Sequence, residues 1–99
     1  MMGVLSMPAV VRKGDSCTGH DGFPPRTSIM GSTVLFDGGI PVHRVGDDWD
    51  IHCNGGCHPG KLASGSSIFF DGGKAVGRVG DPIDCGSFCA TGSSVLFSA

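Results

Sequence analysis

Two short phrases recur along this chain, and their copies can be matched only if its two ends are brought together. Gly31-Ser32-Thr33-Val34-Leu35-Phe36-Asp37-Gly38-Gly39 returns as Gly65-Ser66-Ser67-Ile68-Phe69-Phe70-Asp71-Gly72-Gly73, and again, cut short, as Gly92-Ser93-Ser94-Val95-Leu96-Phe97. The phrase that follows the first two copies is Val42-His43-Arg44-Val45-Gly46-Asp47 and then Val76-Gly77-Arg78-Val79-Gly80-Asp81. Its third copy stands at the start of the chain, as Val10-Val11-Arg12-Lys13-Gly14-Asp15. Three half-units of each kind make three whole units when residues 92–97 meet residues 8–14. Three matched copies of each phrase mark repeated supersecondary units that bury their apolar faces on one another. The expectation is a small, closed, pseudo-threefold domain.

The repeated segments read as strands. Val34 and Phe36, Ile68 and Phe70, and Val95 and Phe97 alternate with polar or outward positions, the period of two that a half-buried strand requires. Asp37-Gly38-Gly39 and Asp71-Gly72-Gly73 supply the positive φ of tight hairpin turns, and the chain returns along 40–46 and 74–80. Pairing of the termini builds the third hairpin and removes sheet edges that would invite aggregation. No apolar stripe at 3.6-residue spacing runs for ten positions, so the class is all-β, in one domain of 99 residues. A chain this short buries a limited core and often needs a metal or disulfides to hold it. Five cysteines without a signal peptide disfavour a complete disulfide framework, and cysteines near histidines suggest a metal instead.

Candidate ligands concentrate in the segments that open after each Gly-Asp, read as long loops over 16–30, 48–64 and 82–91. They hold Cys17, His20, His52, Cys53, Cys57, His58, Cys85 and Cys89. His58 and Cys85 each lie seven residues before a Gly-Ser phrase and are equivalent by repeat. His20 is the histidine of the first loop. One ligand from each loop, with a fourth from His52 or from the strand-borne His43, completes the tetrahedron of a structural zinc site. The Cys-x3-Cys pairs Cys53/Cys57 and Cys85/Cys89 could rival the histidines. For most of Cys17, Cys53, Cys57 and Cys89 the favoured reading is that of small buried residues. Arg12, Arg44 and Arg78 are candidates to pair with Asp15, Asp47 and Asp81 or with carbonyls, and Trp49 reads as a packing anchor.

These residues resemble the PAAR-repeat family, named for a proline-alanine-alanine-arginine motif. The motif segments are Met7-Pro8-Ala9-Val10-Val11-Arg12, Pro41-Val42-His43-Arg44 and Lys74-Ala75-Val76-Gly77-Arg78, none of them literally Pro-Ala-Ala-Arg. Gly19-His20-Asp21-Gly22-Phe23-Pro24-Pro25-Arg26, Cys57-His58-Pro59-Gly60 and Arg78-Val79-Gly80-Asp81-Pro82 extend the match over 7–99, leaving 1–6 as an N-terminal extension. The resemblance implies a cone of β-hairpins with zinc near its vertex, held by three histidines and one cysteine. Carried over, these are Cys85 and three of His20, His43, His52 and His58, with His20, His52 and His58 first by loop spacing. It also implies a partner: the trimeric β-helical spike (VgrG-like or a phage central spike) of a type VI secretion system or contractile phage tail, one chain per trimer, with the vertex toward the target membrane. The implied locations are the phage tail spike, or the bacterial cytoplasm before delivery outside; Met1 to Met7 lacks the form of a signal peptide.

Other functions compete. An adaptor would attach a separate effector protein to the spike through exposed loop surface. A zinc enzyme would need three ligands, an open water position and a general base such as Asp21 or Asp50. A nucleic-acid binder is disfavoured by the net charge of −2 and the absence of a basic block.

Overall fold

The computed structural model describes residues 7–99; the extension read at 1–6 lies outside the described residues. In chain order the strands are β1 (Phe36–Asp37), β2 (Ile40–Pro41), β3 (Asp48–Cys53), β4 (Cys57–Lys61), β5 (Phe70–Asp71) and β6 (Lys74–Ala75). They pair antiparallel as β1–β2, β3–β4 and β5–β6. No helix occurs among the described residues, and so none is long and apolar enough to cross a membrane. The β1–β2 and β5–β6 hairpins turn at the Asp-Gly-Gly phrases. Gly38 and Gly39 have φ of 58° and 85°, Gly72 and Gly73 of 60° and 82°, the paired positive values of a two-residue turn matched to strand twist.

The repeats continue in backbone hydrogen bonds beyond these short strands. Val42 donates to the Leu35 carbonyl at 3.1 Å and accepts from the Ser32 amide at 2.8 Å. Val76 does the same with Phe69 and Ser66, both at 2.9 Å. Val10 does the same with Leu96 at 2.9 Å and Ser93 at 2.8 Å, although no turn joins these segments. Ala9 also bridges antiparallel to Phe97. The glycine before each serine permits this approach. A Cβ on Gly65 would lie 2.5 Å from the Val76 carbonyl oxygen, one on Gly92 2.7 Å from that of Val10, and one on Gly31 3.0 Å from that of Val42.

The three return segments then leave their hairpin partners and join one another. The Val11 amide donates to Gly77 at 2.8 Å, Gly77 to His43 at 2.9 Å, and His43 to Val11 at 2.9 Å. Three residues equivalent by repeat thus close a ring of main-chain hydrogen bonds. Gly77 completes it because a side chain there has no room: a Cβ would stand 2.6 Å from Leu62 Cδ2.

A turn follows each return segment. The Asp15, Asp47 and Asp81 amides donate back to the Arg12, Arg44 and Arg78 carbonyls at 3.0, 2.9 and 3.0 Å. Gly14, Gly46 and Gly80 hold the positive φ that the third position of a type II turn needs. Each aspartate accepts from the main-chain N–H, Nε and Nη2 of its arginine. The expected arginine–aspartate pairs are therefore present in all three copies. Arg44 adds Asp71 at 3.1 Å and Arg12 adds Asp37 at 3.6 Å.

The core is stacked in threes. Val10, Val42 and Val76 are fully buried, under Leu35, Phe69 and Leu96. Deeper in the repeat, Cys17, Trp49 and Ile83, each two residues after the turn aspartate, are buried with Val11, Leu62 and Cys89. Trp49, 1% exposed, is the packing anchor the sequence suggests.

Two expectations are corrected. The inward residues of the repeated strands are Leu35, Phe69 and Leu96; the flanking Val34, Ile68 and Val95 are 77%, 69% and 76% exposed. Both faces of these segments are apolar, so alternation alone does not select the buried one. The segment read as a loop at 48–64 contains the two longest strands, β3 and β4, turning through Asn54-Gly55-Gly56. The Asp48-Trp49-Asp50-Ile51 alternation signals a strand at this point, although a register shift between Trp49 and His52 leaves Ile51 exposed and turns His52 inward.

Candidate metal centre

The β3–β4 hairpin and the loops 16–30 and 82–91 bring four donors to one place. His20 stands at the start of a two-residue turn in which Asp21 and Gly22 have φ of 45° and 82°. The turn is closed by His20 and Phe23 exchanging backbone hydrogen bonds of 3.1 and 2.6 Å. Phe23 stacks on the His20 ring, centroids 5.0 Å apart, and abuts His58 at 4.3 Å. His52 and His58 face each other across β3 and β4 in direct register. The next pair outward, Cys53 and Cys57, is joined by a disulfide. Cys85 comes from the third loop, where a tight turn is held by bonds from Gly86 N to Ile83 O and from Ile83 N to Ser87 O.

The three imidazoles meet through the same atom. Nε2 to Nε2 distances are 2.7 Å for His52–His58, 3.0 Å for His20–His58 and 3.2 Å for His20–His52. Donor atoms of His20, His52, His58 and Cys85 all lie within 4.8 Å of one another. His52 Nδ1–H donates to the Pro24 carbonyl at 2.8 Å, which fixes the tautomer and leaves Nε2 as a bare lone pair. His20 Nδ1 lies 3.4 Å from the Asp21 carboxylate, the same arrangement with an acid as partner.

This donor set fits a metal ion. Lone pairs converging at these distances repel unless a proton or a cation stands between them. Ligands about 2.05 Å from a tetrahedral zinc stand about 3.3 Å apart, close to the observed triangle. The surroundings of the thiol fit the same donor set. Burial alone would raise the Cys85 pKa, but hydrogen bonds from the Ser87 hydroxyl and backbone and from the Arg26 guanidinium bring it down to about 6. Cys85 Sγ lies 3.2 Å from Arg26 Nη2 and 3.3 Å from Ser87 Oγ. A thiolate at neutral pH is what metal ligation requires.

His43 stands apart from this cluster. It lies in the main-chain ring, fully buried, with Nδ1 2.7 Å from the Met30 carbonyl and its ring edge-on to Trp49. Burial pushes its pKa down. Its place by repeat, opposite Val11 and Gly77, puts it in the main-chain ring and outside the group of converging donors. Cys17 and Cys89 are the small buried residues expected; burial, with Asp81 next, pushes Cys89 up to about 12. Cys53 and Cys57 are not. Both are exposed, and they clasp the hairpin directly beyond His52 and His58. An odd cysteine total argues only against pairing all of them, and a Cys-x3-Cys spacing across a glycine turn suits a local bridge. Arg26 and Ser87, whose side chains hydrogen-bond to Cys85 Sγ, carry no repeat signal in the sequence, because neither recurs with the repeat.

The family model for the PAAR motif matches residues 18–91. The chain belongs to the PAAR-motif family. Compared with curated proteins, it matches none. The PAAR family is one of structural spike-tip proteins of contractile injection systems, not of enzymes. The match spans the candidate ligands, from before His20 to beyond Cys85.

Proposed function

We propose that this protein is the zinc-stabilised point of a contractile injection machine, seated as one copy on a trimeric β-helical spike and helping it through the target envelope. Residues 7–99 form the PAAR-repeat domain in this reading, and 1–6 extend it. The observation that carries the reading is the convergence of three imidazole Nε2 atoms and one thiol from three separate segments of the chain. Four protein donors leave no open position for water or substrate, which favours a structural ion over a catalytic one. Zinc, when bound, supplies charge neutralisation and a cross-link between the loops, and roughly 10–16 kcal/mol of apparent folding energy in small zinc domains. His20, His52 and His58 would present neutral Nε2 atoms to it, and Cys85 its thiolate.

The spike partner is supported by the outward apolar residues of the repeats. Val34, Ile68 and Val95 are 77%, 69% and 76% exposed; Phe36, Phe70 and Phe97 are 48%, 53% and 45% exposed. Equivalent residues exposed to equal degrees offer three like surfaces, which one chain needs to satisfy a threefold partner. Exposed apolar groups in such numbers mark an interaction surface. Native mass spectrometry with the neighbouring spike protein tests this: one chain per trimer is expected. V34D/I68D/V95D should abolish the complex while zinc content stays unchanged. A complex that survives the triple substitution contradicts the docking surface. The machine itself would be a phage tail or a type VI system. An adaptor role toward an effector is compatible with the same seat on the spike.

A further inference from the structure

The first loop buries a positive charge that no carboxylate pairs with. Arg26 is 7% exposed, and among the described residues it forms no ion pair with an acid. Its guanidinium hydrogen-bonds instead to all three loops. Nε donates to the Asp50 carbonyl at 2.8 Å, Nη1 to Ser87 Oγ at 2.9 Å and Cys17 Sγ at 3.2 Å, and Nη2 to Cys85 Sγ at 3.2 Å. The chain makes room for it at Gly60 in β4, where a Cβ would lie 2.1 Å from Nη2. A buried cation is costly unless an anion and hydrogen bonds compensate it. The Asp50 carbonyl and Ser87 hydroxyl supply oxygen acceptors and the Trp49 ring centroid lies 5.8 Å from the guanidinium carbon; the groups left to supply an anion are the sulfurs of Cys17 and Cys85, of which Cys85 stands among the converging donors.

We propose that Arg26 is a positioning residue of the metal centre: its guanidinium is the counter-charge of the Cys85 sulfur and orients that sulfur toward the three imidazoles. The proposal rests on the zinc reading above. The planar fork suits the task because donors fixed at set angles can bind two sulfurs and two oxygens at once, whereas a lysine is a point charge. Two of these acceptors, Cys85 and Ser87, belong to the third loop, one to the first and one to the second, so the guanidinium ties Cys85 to the hairpin that carries His52 and His58. Partners that orient a metal ligand in this way typically contribute 10–100-fold to metal affinity.

The test uses the full chain loaded with Co2+ in place of zinc. Wild type should show a sulfur-to-cobalt charge-transfer band. R26K should bind Co2+ about 10–100-fold more weakly in competition with a chromophoric chelator. Its band should move to lower energy, because a sulfur relieved of N–H donors gives up charge more readily. If R26K does not fold, G60A disturbs the same contact without altering Arg26 or its acceptors, and it should reproduce both changes. A folded variant with unchanged affinity and an unmoved band overturns the proposal and leaves the metal centre intact. A wild type without a sulfur-to-cobalt band removes the zinc reading, and this one with it.

Discussion

Replacing Asp47 by Ala tests whether the arginine–aspartate turns hold the repeats in place. Asp47 is fully buried. Its Oδ2 accepts from the Arg44 main-chain N–H and Nε, both at 2.9 Å, and its Oδ1 accepts from Nη2 at 3.1 Å. The alanine variant leaves the Arg44 amide without its acceptor and its guanidinium with Asp71 alone as a carboxylate partner, at 3.1 Å. Removing one member of a buried ion pair costs about 3–5 kcal/mol; the remaining Asp71 contact puts Asp47→Ala near 3 kcal/mol, at the lower end of that range. For a domain of this size each kcal/mol moves Tm by about 4–8 °C, so a fall of about 12–24 °C is expected. Thermal unfolding should be followed in excess chelator, because a bound metal adds stability of its own. Asp47→Asn, which keeps one acceptor oxygen, should recover part of the loss. A cost below about 1 kcal/mol, the range of an exposed ion pair, would refute the structural role given to these turns.

Three further outcomes are expected. Burial depresses the His43 pKa below its ordinary 6.5, so the folded state holds it neutral while the unfolded chain takes up a proton. The stability this contributes is present above pH 6.5 and is lost as pH falls below it; in chelator, His43→Val should flatten that slope, and an unchanged slope would contradict the assignment. Deleting residues 92–99 removes the Ser93 and Leu96 bonds to Val10 and the Ser98 bond to Pro8, and the product should unfold or aggregate; a folded, soluble truncation would show that the terminal pairing is dispensable. Cys85→Ala should lose stoichiometric zinc and Cys89→Ala should keep it, measured by metal analysis after dialysis, since the Cys85 sulfur stands with the three imidazoles and Cys89 is buried in the apolar core. Equal losses would mean that the sulfur ligand is misassigned.

Much of this arrangement is legible in the order of residues. The offsets that align Val10 with Val42 and Val76, and Arg12 with Arg44 and Arg78, predict the matched hydrogen bonds. The glycines before Ser32, Ser66 and Ser93 mark where one segment crosses close against the next. What the sequence leaves open has physical causes. Val34-Leu35-Phe36 is apolar at every position, so its inner face is decided by packing against the valines. The pairing of Cys53 with Cys57 depends on a hairpin register that the count of five cysteines does not encode. His20, His52, His43 and His58 are alike as residues, and only the path of the chain separates the three that converge from the one in the main-chain ring. Arg26 has no counterpart in the other repeats, where Gly60 and Ser87 stand at the same distance before the Gly-Ser phrase, so no periodicity points to it.

X-ray absorption at the zinc edge of the full chain tests the central claim most directly. The account predicts one zinc per chain with a first shell of three nitrogens at about 2.0–2.1 Å and one sulfur at about 2.3 Å. A shell containing a water oxygen, two sulfurs or none, or a protein that retains no zinc, would contradict it.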